Sequence, residues 1–523
     1  MEKIVFVDEM RAIEKEADSK GLSYAQMMEN AGVGLAEQIH RTFGREGERV
    51  VLALVGSGNN GGDALVALAY LANWGWSTRA YLVRPRGDTD PLVSRFLRAG
   101  GRFFGGVDDR DHECLRAWLG ECVVLVDGVF GTGARLPLPQ DAQQLLGFVQ
   151  QVITRQDRKV HVVAVDCPSG VDCDQGMAAP EAIPAEITVT MAAVKAGLLS
   201  FPAVSLTGEL RVASIGELDH LAAWKAVHRS LAAEADLCGL LPMRPPYAHK
   251  GSFGTALIVA GCKSYTGAVL LAGEGAYRAG AGLVNLAVPG SLHAAVAGHL
   301  PEATWVLLPE DEGMVAPAAA EVIMASLGRA SALLVGPGLG AGDAPRGFVC
   351  ALLQGNCALL PPCVFDADGL RHLASVDAWP EKLPAETILT PHLGEMAALT
   401  GLPLAEIQAN RVRLAEQYAQ AWGHVIVLKG ANTVVAEPSG RTSVIPVATA
   451  ALARAGTGDV LAGIIVGLRA QGMGAFDAAV VGAWIHAQAG LQAAQDLGTT
   501  ASVLASDVLR KVPLAIAELN KDR

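Results

Sequence analysis

"RVVLALVGSGNNGGDALVALAYLANWG", residues 49–75, decides the fold. An aliphatic run is followed by a loop of Gly, Ser and Asn, then by an apolar stretch of helical length: strand, turn, helix. A strand apolar at every position is buried on both faces, as in a parallel sheet sandwiched between helices. Gly56 and Gly61 have the spacing of a phosphate-binding P-loop, yet Gly62 and Asp63 stand where that motif has Lys and Ser or Thr. Such a loop still offers N–H groups to a phosphate or diphosphate, but the lysine's charge must come from elsewhere.

The same alternation extends in both directions. "VDEMRAIEKEADSKGLSYAQMMENAGVGLAEQIHRTFG" reads as two helices split at Gly21. Downstream, "STRAYLVRP", "CVVLVDGVFG", "KVHVVAVDCPSG" and "ITVTMAAVKAG" read as strands among amphipathic helices. The rhythm lapses over 217–250, which reads as helical and then Pro-rich, and a domain boundary is placed near 225–240. It resumes with "GTALIVAG", "GLVNLAVP", "ALLVGPGLG", "PCVFDADGL", "ETILTPHLGE", "HVIVLKG" and "NTVVAEP", and ends in a Gly- and Ala-rich helical region from Gly456. The expected fold is α/β, with two three-layer αβα domains spanning 1–225 and 235–520.

A chain of 523 residues exceeds one ordinary core, in keeping with two domains. The net charge of −12, with no basic run, argues against nucleic acid and anionic membranes as partners. Nine cysteines, none in a CxxC pattern, point to a reducing compartment without a metal cluster. The charged N-terminus carries no apolar signal core and no uncharged apolar stretch is long enough to span a bilayer, so a cytoplasmic protein is expected.

In open parallel sheets ligands lie beyond the carboxyl ends of the strands. Three loops there are polar: 56–63, 127–137 and 166–170. Asn60, Asp127 and Ser169 supply oxygens suited to a monovalent cation, in place of the absent lysine. "NNGGD", "VDGVFGTG", "VDCPSG", "VKAGL" and "MMENAG" resemble the NAD(P)H-hydrate epimerases. That resemblance implies a Rossmann-like domain that binds potassium and interconverts the R and S epimers of hydrated NADH and NADPH. By position, it implies potassium at Asn60, Asp127 and Ser169. It implies the hydrate at Asn59, Asn60, Gly61, Gly62 and Asp63, at Gly131, Thr132, Gly133, Ala134, Arg135, Leu136 and Pro137, and at Asp166. Asp166, at a strand end, is the candidate acid/base; its structural alternative is a helix cap. Lys195 either neutralises phosphate or is a solvated side chain. Ala64 stands where the family has Gly.

In the second half, "RAGTGDVLAG" (454–463) places a Gly-rich turn at a helix start, where N–H groups form an anion hole. Asp459 within it suits a base that accepts a hydroxyl proton during phosphoryl transfer. "HKGSFG", "AGCKSYTGA", "GAYRAGAGLV", "GPGLG", "TPHLGE", "VLKGANT" and "AGTGDVLAG" resemble, in order, the ribokinase-like NAD(P)H-hydrate dehydratases. The resemblance implies that the S hydrate is phosphorylated at its C6 hydroxyl at the expense of ADP with magnesium, then loses phosphate, giving NAD(P)H and AMP. It implies Asp459 as base, the hydrate at Ala268, Gly338, His392 and Asp459, and the nucleotide at Lys429, Gly430, Ala431, Asn432, Thr433 and Gly458. For His392 the alternative is a buried structural imidazole. Ser252, Leu393 and Ala455 replace the family's Asp, Pro and Gly, and "PVATAALARA" replaces an Asn-Gly-rich stretch. A homo-oligomer is the family's usual state.

Overall fold

The computed structural model describes residues 2–44, 49–86, 90–354 and 357–521. The chain divides between His228 and Arg229 into two compact units.

The first unit is built on a seven-stranded parallel sheet. Its order is Arg102–Gly105, Ser77–Leu82, Val50–Val55, Val124–Gly128, His161–Val165, Ile187–Met191, Glu209–Ala213. The side chains of the opening strand alternate between two cores. Val51, Ala53 and Val55 pack with helices Tyr24–Phe43 and Asn59–Asn73; Leu52 and Leu54 pack with Glu113–Glu121 and Gln140–Thr154. This period-two division explains why every position is aliphatic, and it makes three layers. The chain runs outward from Val50–Val55 in one direction and then returns to its other side with Val124–Gly128. The topological switch point, where open sheets bind ligands, therefore lies between these two strands.

The second unit contains a ten-stranded sheet ordered Arg229–Leu231, Thr442–Val444, Val434–Ala436, Val425–Leu428, Ile388–Leu389, Cys363–Phe365, Ala332–Val335, Thr255–Val259, Leu283–Pro289, Thr304–Leu308. Ala256 and Ile258 face one core, shared with helices Thr457–Ala470, Ala475–Leu497 and Ala505–Leu519. Leu257 and Val259 face another, shared with Ala319–Ser326 and Asp343–Gln354. Both units are thus αβα, and the second switch point lies between Thr255–Val259 and Ala332–Val335.

Three features differ from expectation. The stretch 217–250 is mostly turns with short pieces of helix, Ala222–Ala226 and Glu234–Leu237; these segments are too short to propagate helix on their own. Arg229–Leu231 within it is an edge strand of the second sheet. Val434–Ala436 runs antiparallel to both its neighbours, because a tight turn over 429–433 reverses the chain without a crossover helix. The eight described free cysteines form no disulfide, and no helix among the described residues is long and apolar enough to cross a membrane.

Candidate active sites

At the first switch point, a cavity of about 670 Å³ opens over the strand ends. Asn59, Asn60, Asp63, Gly131, Thr132, Gly133, Ala134 and Asp166 line it. Gly61 and Gly62 are buried beneath: a Cβ on Gly61 would lie 2.0 Å from the Gly56 carbonyl oxygen, so the helix start can rest on the strand end only without a side chain. Arg135, Leu136 and Pro137 do not line the cavity. Ala64 is fully buried on the helix and meets Gly128, so the family's glycine is replaced without strain.

Asp127 is wholly buried at the end of its strand. Ser169 Oγ donates to its Oδ1 (2.5 Å) and Ser169 N–H to its Oδ2 (2.8 Å), while burial pushes its pKa up. Asn60 Nδ2 donates to the carbonyls of Val165 (2.6 Å) and Phe130 (3.1 Å). Asn60, Asp127 and Ser169 therefore converge with two main-chain carbonyls into an oxygen-rich nest.

Asp166 is held at φ +63, a left-handed conformation rare outside Gly. Its Oδ1 accepts from Met191 N–H (2.9 Å) and Thr190 Oγ1 (3.1 Å), and forms an ion pair with Lys195 Nζ. Lys195 is 1% exposed, which rules out a solvated side chain; Asp166 caps no helix and lines the cavity instead. Glu14 and Arg11, from the opening helix, line it too. Strand Ile4–Val5 pairs with Val194–Lys195, bringing the helix that follows over the site. Only the "MMENAG" motif hinted that the opening helices take part.

In the second unit, helix Thr457–Ala470 begins at Gly456, whose φ is +88. Thr457 Oγ1 donates to the carbonyls of Leu452 (2.8 Å) and Arg454 (2.9 Å), fixing the turn. Val460 N–H bonds back to the Gly456 carbonyl, which leaves the N–H groups of Gly458 and Asp459 at the open helix start. A Cβ on Gly458 would lie 3.6 Å from Lys429 Nζ, so a cation stands beside this anion hole.

Lys429 Nζ pairs with Asp366 Oδ1 (2.6 Å) and approaches Glu395 Oε2 (3.6 Å). Thr390 Oγ1 also donates to Asp366 Oδ1 (2.7 Å), whereas Asp366 Oδ2 is buried without a partner. Burial first, then Asp366, raises the pKa of Asp459 to about 7; Lys429 opposes the shift, and Asp368 and Glu395 add to it. The Asp366–Glu395–Lys429 network was not singled out from sequence, although "DADGL" and "TPHLGE" contain both carboxylates.

His392 is exposed. Its Nδ1 accepts from Gly394 N–H (2.9 Å) and Glu395 N–H (3.2 Å), capping helix Leu393–Thr400, and its Nε2 lies 3.1 Å from Glu395 Oε1. The buried-imidazole alternative therefore fails. Gly338, at φ +64, packs against Ala268 and Tyr265 at the second switch point. In the 429–433 turn, Arg411 donates to the Leu428 and Lys429 carbonyls, and Asn432 adopts φ +52. Gly430 is exposed, Ala431 and Thr433 are half-buried, and Asn432 is buried. Of the substituted positions, Ser252 accepts from His249 N–H (3.2 Å), Leu393 is half-buried at a helix start, and Ala455 is exposed.

A family model described as NAD(P)H-hydrate dehydratase matches residues 256–514, and one described as YjeF-related protein N-terminus matches 24–197. The bifunctional NAD(P)H-hydrate repair enzyme Nnr of Moorella thermoacetica is 37% identical over 502 residues, covering 95% of this chain and 93% of that one. The Escherichia coli enzyme of the same name is 33% identical over 504 residues, covering 96% and 92%. Among solved structures, the ADP/ATP-dependent NAD(P)H-hydrate dehydratase of Bacillus subtilis, co-crystallised with ATP and Mg2+, is 30% identical. It covers 55% of this chain and 98% of that one, with a TM-score of 0.47. Related along nearly its whole length at more than 30% identity, the chain belongs to the family of bifunctional NAD(P)H-hydrate repair enzymes.

Proposed function

We propose that the two sites act in series on hydrated NADH and NADPH: the first epimerises R and S hydrates, and the second dehydrates the S form with ADP. The observation that carries the second step is the neutral-range Asp459 beside Lys429 and an open helix start. A carboxylate with a pKa near the working pH is an efficient base. Asp459 takes the C6 hydroxyl proton as the oxygen attacks the terminal phosphorus of ADP. AMP leaves, and the N–H groups of Gly458 and Asp459, with Lys429, hold the transferring group. Phosphate then departs from C6 with the C–O electron pair, where hydroxide would be a poor leaving group, and loss of a C5 proton to water restores the C5=C6 double bond of the nicotinamide ring. Ala268, Gly338 and His392 hold the hydrate, and residues 429–433 hold the nucleotide.

Magnesium fits this centre. Asp366, Asp368 and Glu395 all act on Asp459, with the Lys429 cation opposing them, and Asp366 Oδ2 is an orphaned buried oxygen. Among the described residues no three His, Cys, Asp or Glu side chains form a metal set. The ion would thus arrive with the diphosphate and use one or two carboxylates. When bound it would neutralise charge on the transferring phosphoryl group.

In the first unit, the side-chain oxygens of Asn60, Asp127 and Ser169 make the set that would hold potassium. The buried Asp127 is the charge such an ion would offset. Residues 59–63 and 131–134 take the dinucleotide, and Asp166, held by Lys195, faces the reacting carbon. The same reading places the chain in the cytoplasm as a homo-oligomer acting on small molecules rather than nucleic acid or membrane.

Two experiments test this. Purified S hydrate with ADP and magnesium should yield NADH and one phosphate per turnover; a stable phosphorylated product would instead mark a small-molecule kinase. A Cβ at Gly131 would lie 2.1 Å from Asn60 Oδ1. Gly131→Ala should therefore displace Asn60 and lower R-to-S epimerisation at least about tenfold, a 1.4 kcal/mol effect on the barrier, with dehydration of S hydrate unchanged.

A further inference from the structure

The first cavity holds carboxyl groups of two opposite kinds. Asp166 Oδ1 is occupied by three donors: a backbone N–H, a hydroxyl and the Lys195 ammonium. Donors of this kind stabilise the carboxylate form. Asp63 lines the same cavity and is 7% exposed, but among the described residues no N–H or O–H donor lies on its carboxyl group. It is the fifth residue of helix Asn59–Asn73, past the first turn whose free N–H groups stabilise anions.

The charged groups facing Asp63 are Asp166 from the end of its strand, Glu14 from the opening helix and Lys195. Glu14 itself faces Asp166, Lys195 and Arg11, and burial raises its pKa. A buried carboxyl without a donor, opposite two others of like charge, is most stable as the neutral acid. Burial, then Asp166 and Glu14, accordingly push Asp63 well above the carboxylate range. A carboxyl without donors and one held by three, lining the same cavity, are placed to divide acid and base roles between them.

Building on the epimerase reading above, we propose that Asp63 is the general acid of the first site and Asp166 its base, acting on C6 of the hydrate in two half-steps. In the first, the Asp63 proton passes to the C6 hydroxyl oxygen. The C–O bond breaks with its electron pair leaving in water, and the ring N1 lone pair forms the N1=C6 iminium, leaving Asp63 as carboxylate. In the second, a water on the opposite ring face adds to C6. Asp166 takes its proton, and the π pair returns to N1. The other epimer results, with the enzyme's proton now on Asp166; its return to Asp63 through the solvent-open cavity completes the cycle.

The test uses the full chain, purified R hydrate, and dehydration of S hydrate as the internal control for folding. Asp63→Asn keeps the size and polarity of the side chain but has no acidic proton. Epimerisation should fall about 10²–10⁴-fold, with the dissociation constant for R hydrate within about threefold of wild type. Wild-type epimerisation should decline on the alkaline side as Asp63 loses its proton, and this limb should be absent from the residual Asp63→Asn rate. Glu14→Gln removes a like charge and should move the limb to lower pH. Epimerisation by Asp63→Asn within tenfold of wild type, a preserved alkaline limb, or a loss wholly due to weaker R-hydrate binding would each overturn the assignment. So would an unmoved limb in Glu14→Gln. A wild-type chain that dehydrates S hydrate but does not epimerise R hydrate would overturn the epimerase reading itself, a distinct result.

Discussion

Replacing Asp459 with Asn is expected to lower S-hydrate dehydration about a thousandfold or more, within the usual range for removing a general base, while nucleotide binding persists. The physical reason is local. Asp459 sits in the first turn of its helix beside Lys429, which keeps its pairing with Asp366 and its approach to Glu395 when the Asp459 charge is removed. Asn preserves shape and polarity but cannot accept the hydroxyl proton. Isothermal titration with ADP should give a near-unchanged dissociation constant, while turnover collapses. The wild-type rate should also rise with pH through about 7, because the base is active only when ionised and Asp459 ionises there. Full turnover by Asp459→Asn would remove Asp459 from the mechanism.

Lys195→Met carries the second large effect. The substitution leaves the Asp166 carboxylate buried with only the Met191 N–H and Thr190 hydroxyl as donors. Breaking a buried ion pair from one side costs about 3–5 kcal/mol, because the remaining charge is uncompensated. The first unit should unfold at markedly lower urea concentration, and epimerisation should be lost even where it remains folded, since Asp166 would lose the ammonium that holds it in place. Asp166→Asn together with Lys195→Met should recover much of the stability and none of the activity. Equal urea midpoints for Lys195→Met and wild type would contradict the pair's role.

Much of this arrangement is legible in the sequence, and the parts that are not share a cause. Strands such as Val50–Val55 and Val124–Gly128 are aliphatic on both faces, so their pattern declares the parallel sheet. Asp127, Asp166 and Ser169 stand at or just past strand ends, where the chain itself marks the site. Arg229–Leu231, Thr304–Leu308 and Thr442–Val444 escaped notice because they are short or partly exposed and break the apolar rhythm. The Lys195–Asp166 pair joins residues 29 apart in the chain, and Glu14 reaches the cavity only through the pairing of Ile4–Val5 with Val194–Lys195. Local pattern carries no record of such pairing.

The most direct test of two sites working in series supplies pure R hydrate, ADP and magnesium to the full chain and follows nicotinamide absorbance alongside phosphate. NADH should reappear in full, one phosphate for each, and Asp166→Ala should abolish it from R hydrate while sparing S hydrate. Recovery of NADH from neither epimer, or equal loss from both in folded Asp166→Ala, would contradict the account.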